Sequence, residues 1–172
     1  MVEIKFTYDY DKQYLPIYHE LFESEFTGRN WAKNILCLSC ESICDNMKEG
    51  FKELLLNRQK NPDALPMMVI LENDIPVGLS FPKNLFTANE SEAFRIPNDK
   101  SYYKIGSIII KQSYRNKGIA VAACQEFLKL YPKIVYQVDE RNIASIRVAE
   151  KLGLTYSHNT TLNGINYEIY KS

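Results

Sequence analysis

The sequence is short of the residues that metal and nucleophile chemistry require. It holds only two histidines, His19 and His158, with no evident partner for either, and neither is given a catalytic role. Three of its four cysteines lie in "CLSCESIC", but no second Cys/His cluster exists to complete a zinc shell. The spacings of Cys37, Cys40 and Cys44 suit a small apolar stripe on a helix instead, with Cys124 standing apart. No Ser-His or Cys-His signature points to a covalent intermediate. Charge of one sign is also lacking. Lysine plus arginine number 21, aspartate plus glutamate 21, and the net charge of +0 argues against holding long DNA or RNA. No apolar run approaches a membrane span, and the N-terminus lacks a basic-apolar-small secretory pattern, so a soluble cytoplasmic protein is expected. Repeats and low-complexity tracts are missing too. At 172 residues, one domain spanning 1–172 is expected.

What is present reads as alternating strands and helices. Val2, Ile4, Phe6 and Tyr8 alternate with polar neighbours and predict a strand. Asp9 or Asp11 opens a helical stretch to about Phe26, and a second helical region covers roughly Trp31 to Arg58. "MMVILE" and "IPVGLSF" form a hairpin about "ND". Residues 82–101 are polar and irregular, a long connection of the kind that is often mobile or functional. "YYKIGSIIIK" predicts one strong strand buried on both faces. A helix to about Tyr131, the strand "KIVYQVD" and the helix "NIASIRVAEKLG" follow, the last with Asn142 as N-cap and Gly153 beyond its end. A hairpin turning at Asn163-Gly164 closes the chain. The order β-α-α-β-β-β-α-β-α-β-β describes a mixed α/β sheet with a parallel crossover from Tyr102 to Asp139.

The stretch "SYRNKGIAVAACQEFL" sits at the carboxyl end of a central strand, where open α/β sheets place ligands. A helix N-terminus offers unpaired N–H groups and partial positive charge, the ingredients of an anion site. Small residues at Gly118 and Ala120 allow a close approach, and Arg115 and Lys117 add flanking charge. The dinucleotide G-x-G-x-x-G and the nucleotide G-K-[ST] are both absent. A capped turn in which Gly118 only relieves strain is the other reading of the same residues.

"YRNKGIA" resembles the Q/R-x-x-G-x-G/A pyrophosphate loop of the GNAT family, the Gcn5-related N-acetyltransferases. "NIASIRVAEKLGL" resembles that family's next block, in wording closest to the branch of ribosomal-protein and spermidine acetylators. The likeness covers about Tyr102 to Leu154, and the sequence before Met67 is not diagnostic. It implies an acyl-CoA N-acyltransferase fold whose central parallel strands splay, and an enzyme moving acetyl from acetyl-CoA to a primary amine. Backbone N–H groups of Asn116, Lys117, Gly118, Ile119, Ala120 and Val121 would hold the pyrophosphate, with Arg115 flanking them. The Ile108, Ile109 and Ile110 strand would pair with the pantetheine arm through the backbone of Ile108 and Ile110, and Asn142, with Ser145, would meet that arm. Asn142 also reads as an N-cap alone. No metal is implied, and a homodimer is left open.

Transfer to an amine needs a neutral acceptor, because a lysine-type amine of pKa about 10.4 is almost wholly charged near neutrality. A backbone N–H near Ile110 would stabilise the oxyanion. The chain departs from the family in three places. Ala149 stands where a tyrosine acid is frequent, Lys104 where some members carry a glutamate base, and Gln112 where proline is common. Glu72 and Tyr103 are the remaining base candidates, and both also read as strand-end surface residues. Glu20, Glu23 and Glu25 in "ELFESEF" are candidates for attracting a cationic acceptor, or are a solvated helix face. A catalytically silent CoA-binding module of the same fold is the principal alternative; a longer acyl group or a hydroxyl acceptor is another.

Overall fold

In the computed structural model, residues 1–20 and 40–172 are described, without the side chains of residues 40–47. Strand β1 (Val2–Thr7) leads to a 3-10 turn at Lys12–Tyr14, whose N-cap Asp11 accepts from the Gln13 N–H, and residues 15–20 continue as helix. Helix α1 (Cys40–Lys60) precedes the hairpin β2 (Met67–Glu72) and β3 (Ile75–Ser80). The earlier part of the expected helical region, including Cys37 and the acids Glu23 and Glu25, lies outside the described residues, as do the Cys40 and Cys44 side chains.

Two expectations change. Residues 82–101 are not wholly irregular, because they contain helix α2 (Ala88–Phe94). Its signal is local: Thr87 and Glu90 form a capping box, each side chain closing the other's N–H. The strand expected over 102–111 is two short pieces, β4 (Tyr103–Lys104) and β5 (Ile109–Ile110). At the break, Gly106 lies close against the Phe81 backbone. A Cβ there would collide with the Phe81 carbonyl oxygen, and the Ser80 hydroxyl and Phe81 N–H both donate to the Gly106 carbonyl.

The remaining elements are α3 (Ile119–Leu130), β6 (Ile134–Asp139), α4 (Ile143–Lys151), β7 (Thr155–Leu162) and β8 (Ile165–Lys171). Strands order as β1-β2-β3-β5 in one sheet and β4-β6-β8-β7 in the other. Both tight hairpins have left-handed residues at the turn, Asn73 with Asp74 and Asn163 with Gly164, which matches strand twist. β4 runs parallel to β6, Tyr103 opposite Ile134 and Lys104 opposite Val135, as the crossover requires.

Alternation sorts the core into layers. Met68 and Ile70 of β2 face α3, joining Ile110, Cys124, Phe127, Tyr136 and Ala149, while Met67 and Val69 face the other way, onto Ile17, Phe51 and Leu55. Ile109 falls in that second cluster, so adjacent isoleucines serve opposite faces. On the second sheet, Phe94 and Ile96 cover Val135 and Ile169.

Candidate functional site

The site begins where the sheet parts. Parallel pairing of β4 with β6 ends at Lys104–Val135, and among the described residues β5 pairs only with β3, Ile109 against Leu79 and Ile110 against Gly78. A gap therefore opens between β5 and the rest of β6. The Lys111 N–H bonds back to the Val77 carbonyl at 2.8 Å, and a trans peptide points its two polar groups oppositely, so the Ile110 carbonyl faces the open side. Ile108 is half-buried beside it, and Ile109 and Ile110 are buried.

From β5 the chain makes a 3-10 turn at Gln112–Tyr114 and enters α3 through two left-handed residues, Asn116 at φ 61° and Gly118 at φ 77°. Asparagine tolerates that region and glycine favours it. No side chain caps α3. The first helical bond is Ala122 N–H to the Gly118 carbonyl, and the N–H groups of residues 116–121 have no acceptor among the described residues. Among the described residues, nothing lies within 4 Å of a Cβ built on Gly118. The turn is thus left-handed at Asn116 and Gly118 and carries no side-chain cap, unlike the capped turn that was the other reading of Gly118. Lys117 holds its ammonium 5.0 Å from the Tyr114 ring centre. Arg115 is engaged elsewhere: Nε donates to the Ile110 carbonyl at 2.8 Å and Nη2 to Glu20 at 3.3 Å. Glu20, a candidate either for attracting a cationic acceptor or for a solvated helix face, is therefore already paired.

Across the gap, Asn142 caps α4, its Oδ1 accepting the Ser145 N–H at 3.1 Å. The cap leaves the Asn142 amide N–H groups without a partner among the described residues. Ser145 Oγ lies 2.8 Å from the Tyr136 hydroxyl, whose phenol burial pushes up to about 12. Sequence reasoning missed this pair. A tyrosine inside the apolar run "KIVYQV" was the available signal, because a buried hydroxyl needs a partner.

The base candidates are not brought together. Tyr103 packs its ring 4.3 Å from Tyr131, and Glu72 ends β2 at the Asn73–Asp74 turn, opposite Val2 and Ile75. Lys104 donates to Gln137 Oε1 and sits 5.5 Å from the Phe94 ring centre. Nearby Lys83 pairs with Glu90 at 2.5 Å. Burial works to raise the Glu90 carboxyl, but hydrogen bonds from Lys83 and Thr87 outweigh it and hold it below the ordinary range. Ala149 is fully buried and brings no proton. No cluster of His, Cys, Asp and Glu among the described residues could hold a metal, and no described helix is long and apolar enough to cross a membrane.

The sequence profile of the acetyltransferase (GNAT) domain matches residues 22–155. The chain belongs to the GNAT acetyltransferase family. GNAT enzymes are acetyl-CoA-dependent N-acetyltransferases, and the mixed, splayed sheet is the GNAT fold. Similar solved structures include RimL, a ribosomal L7/L12 alpha-N-protein acetyltransferase with coenzyme A, at 16% identity and TM-score 0.65, covering 99% of this chain and 93% of that one. An N-acetyltransferase from Staphylococcus aureus Mu50 matches at 16% identity and TM-score 0.64, over 100% and 98% of the two chains. The aminoglycoside acetyltransferase AAC(6')-Ib with coenzyme A matches at 14% and 0.65, over 100% and 94%. No curated protein sequence matches the chain.

Proposed function

We propose that this protein is a cytoplasmic enzyme that moves the acetyl group of acetyl-CoA directly to a primary amine of a small molecule or peptide. The observation that carries the reading is the run of N–H groups from 116 to 121 with no acceptor among the described residues, at the end of a strand whose neighbour has parted from it. Those groups, with the positive end of α3, suit a diphosphate. The open edge at Ile108 and Ile110 suits the amides of a pantetheine arm, and the free amide N–H of Asn142 would meet the same arm from α4. Acetyl-CoA supplies the activated acyl group. The chain would supply alignment and, near Ile110, a main-chain N–H for an oxygen gaining negative charge. With Ala149 inert, the Ser145–Tyr136 hydroxyl pair is our candidate for returning a proton to the departing thiol.

Calorimetry with acetyl-CoA tests the reading, comparing the parent with Gly118→Glu and Ala120→Glu. Each places a negative charge at the turn and is expected to weaken binding at least tenfold, about 1.4 kcal/mol or more. Folded variants that bind like the parent would remove the loop from the site. A silent CoA-binding module is the second reading, favoured by Ala149 and Lys104 standing where the family often has a tyrosine acid and, in some members, a glutamate base. Free-thiol release with acetyl-CoA and a panel of amines separates the two, since a silent module binds and releases nothing.

A further inference from the structure

Arg115 heads the phosphate-type turn, yet its guanidinium spans two other partners. Nε donates to the Ile110 carbonyl at 2.8 Å, and Nη2 reaches Glu20 Oε2 at 3.3 Å. The other oxygen of Glu20 accepts the Gln112 N–H at 3.4 Å. The Ile110–Lys111 peptide is thus held from both sides, by Val77 toward β3 and by Arg115 toward the gap. Arg115 Nε stands where the N–H of a further strand would pair.

An open strand edge repeats its donors and acceptors every two residues, so an extended ligand can pair with it in more than one register. One slip of two residues moves the ligand about 7 Å. A carbonyl that is already occupied removes a register. We propose that Arg115 is a positioning residue that closes the open edge of β5 at the Ile110 carbonyl, with Glu20 orienting its guanidinium, so that the acyl-donor arm pairs no farther than the Ile110 N–H. The inference rests on the acetyl-CoA reading above. It assigns Arg115 to the register of the arm and not to the diphosphate.

The two roles separate in a test with acetyl-CoA and whichever amine of the panel the parent acetylates fastest. For Arg115→Gln, closure of the edge predicts kcat lower by between about tenfold and a hundredfold, because a misplaced acyl group reacts slowly. The calorimetric Kd for acetyl-CoA should change by less than about threefold, since the N–H groups at Gly118 remain. Glu20→Gln should lower kcat in the same sense, and the double variant should be no worse than Arg115→Gln alone. Arg115→Lys should not rescue, because one ammonium cannot reproduce the planar fork. A diphosphate ligand would behave oppositely: Kd weakened with kcat unchanged, Arg115→Lys restoring binding, and Glu20→Gln tightening it. Any of those results overturns the assignment. Both side chains are partly exposed, at 44% and 31%, and thermal melts check that the variants fold. A parent that neither binds acetyl-CoA nor acetylates any amine instead refutes the function on which the inference stands.

Discussion

Alkaline pH interrogates the Tyr136–Ser145 pair beside Asn142. The Tyr136 side chain is 3% exposed, and burial, with a smaller contribution from Cys124, lifts its phenol from 10.0 to about 12. The native state therefore keeps a proton that the unfolded chain gives up from pH 10 onward. This stabilisation is fully present below about pH 10 and disappears as the pH rises through about 12. Two pKa units correspond to about 3 kcal/mol in total, of which about 1.4 kcal/mol is gone by pH 11. Tyr136→Phe removes the titrating group and one hydrogen bond, and should cost about 1 kcal/mol at pH 8. Between pH 8 and 11 the parent should lose this advantage, the two stabilities meeting or crossing. Urea unfolding at pH 8, 10 and 11 reads the difference directly. The buried Cys124 thiol, also held up to about 12, and the Tyr170 phenol, raised by burial and by Glu168, titrate in both proteins and largely cancel. A parent-minus-variant difference that stays constant across this range would refute the reasoning, since an ordinary phenol titrates alike folded and unfolded.

Three further outcomes are expected. Gly118→Ala meets no neighbouring atom among the described residues, so its cost is that of the left-handed backbone, about 1–2 kcal/mol, and a thermal melt losing much more would expose a further contact. Thr87→Ala breaks the capping box of α2 and should cost about 1 kcal/mol in urea unfolding, with acetyl-CoA affinity unchanged. Cys124, fully buried with its thiol pushed up to about 12, should stay unmodified by iodoacetamide at pH 8 in native protein and react in urea; peptide mass mapping that finds native labelling would contradict its burial.

Much of the site was legible because its determinants are local. Asn142 caps Ser145 three residues on, a pattern written in the asparagine and the helix after it. Asn116 and Gly118 take left-handed conformations within one short turn, and the hairpin asparagines do the same at theirs. The capping box at Thr87 was equally local, but an otherwise polar segment concealed it. The fate of 102–111 was not legible. Its apolar pattern suits any buried strand, and the pattern does not say that Gly106 would lie against Phe81 or that the segment would divide between two sheets.

By itself, the sequence determined most of the strands and helices, both hairpin turns and the glycine at the head of α3, since each depends on neighbours a few residues away. Only the tertiary structure decided that Glu20 meets Arg115 over a separation of 95 residues, and that Tyr136 and Ser145 face each other across β6 and α4. Those contacts arise from how sheets and helices pack. A charge or hydroxyl in the chain carries no mark of which distant partner packing will bring to it.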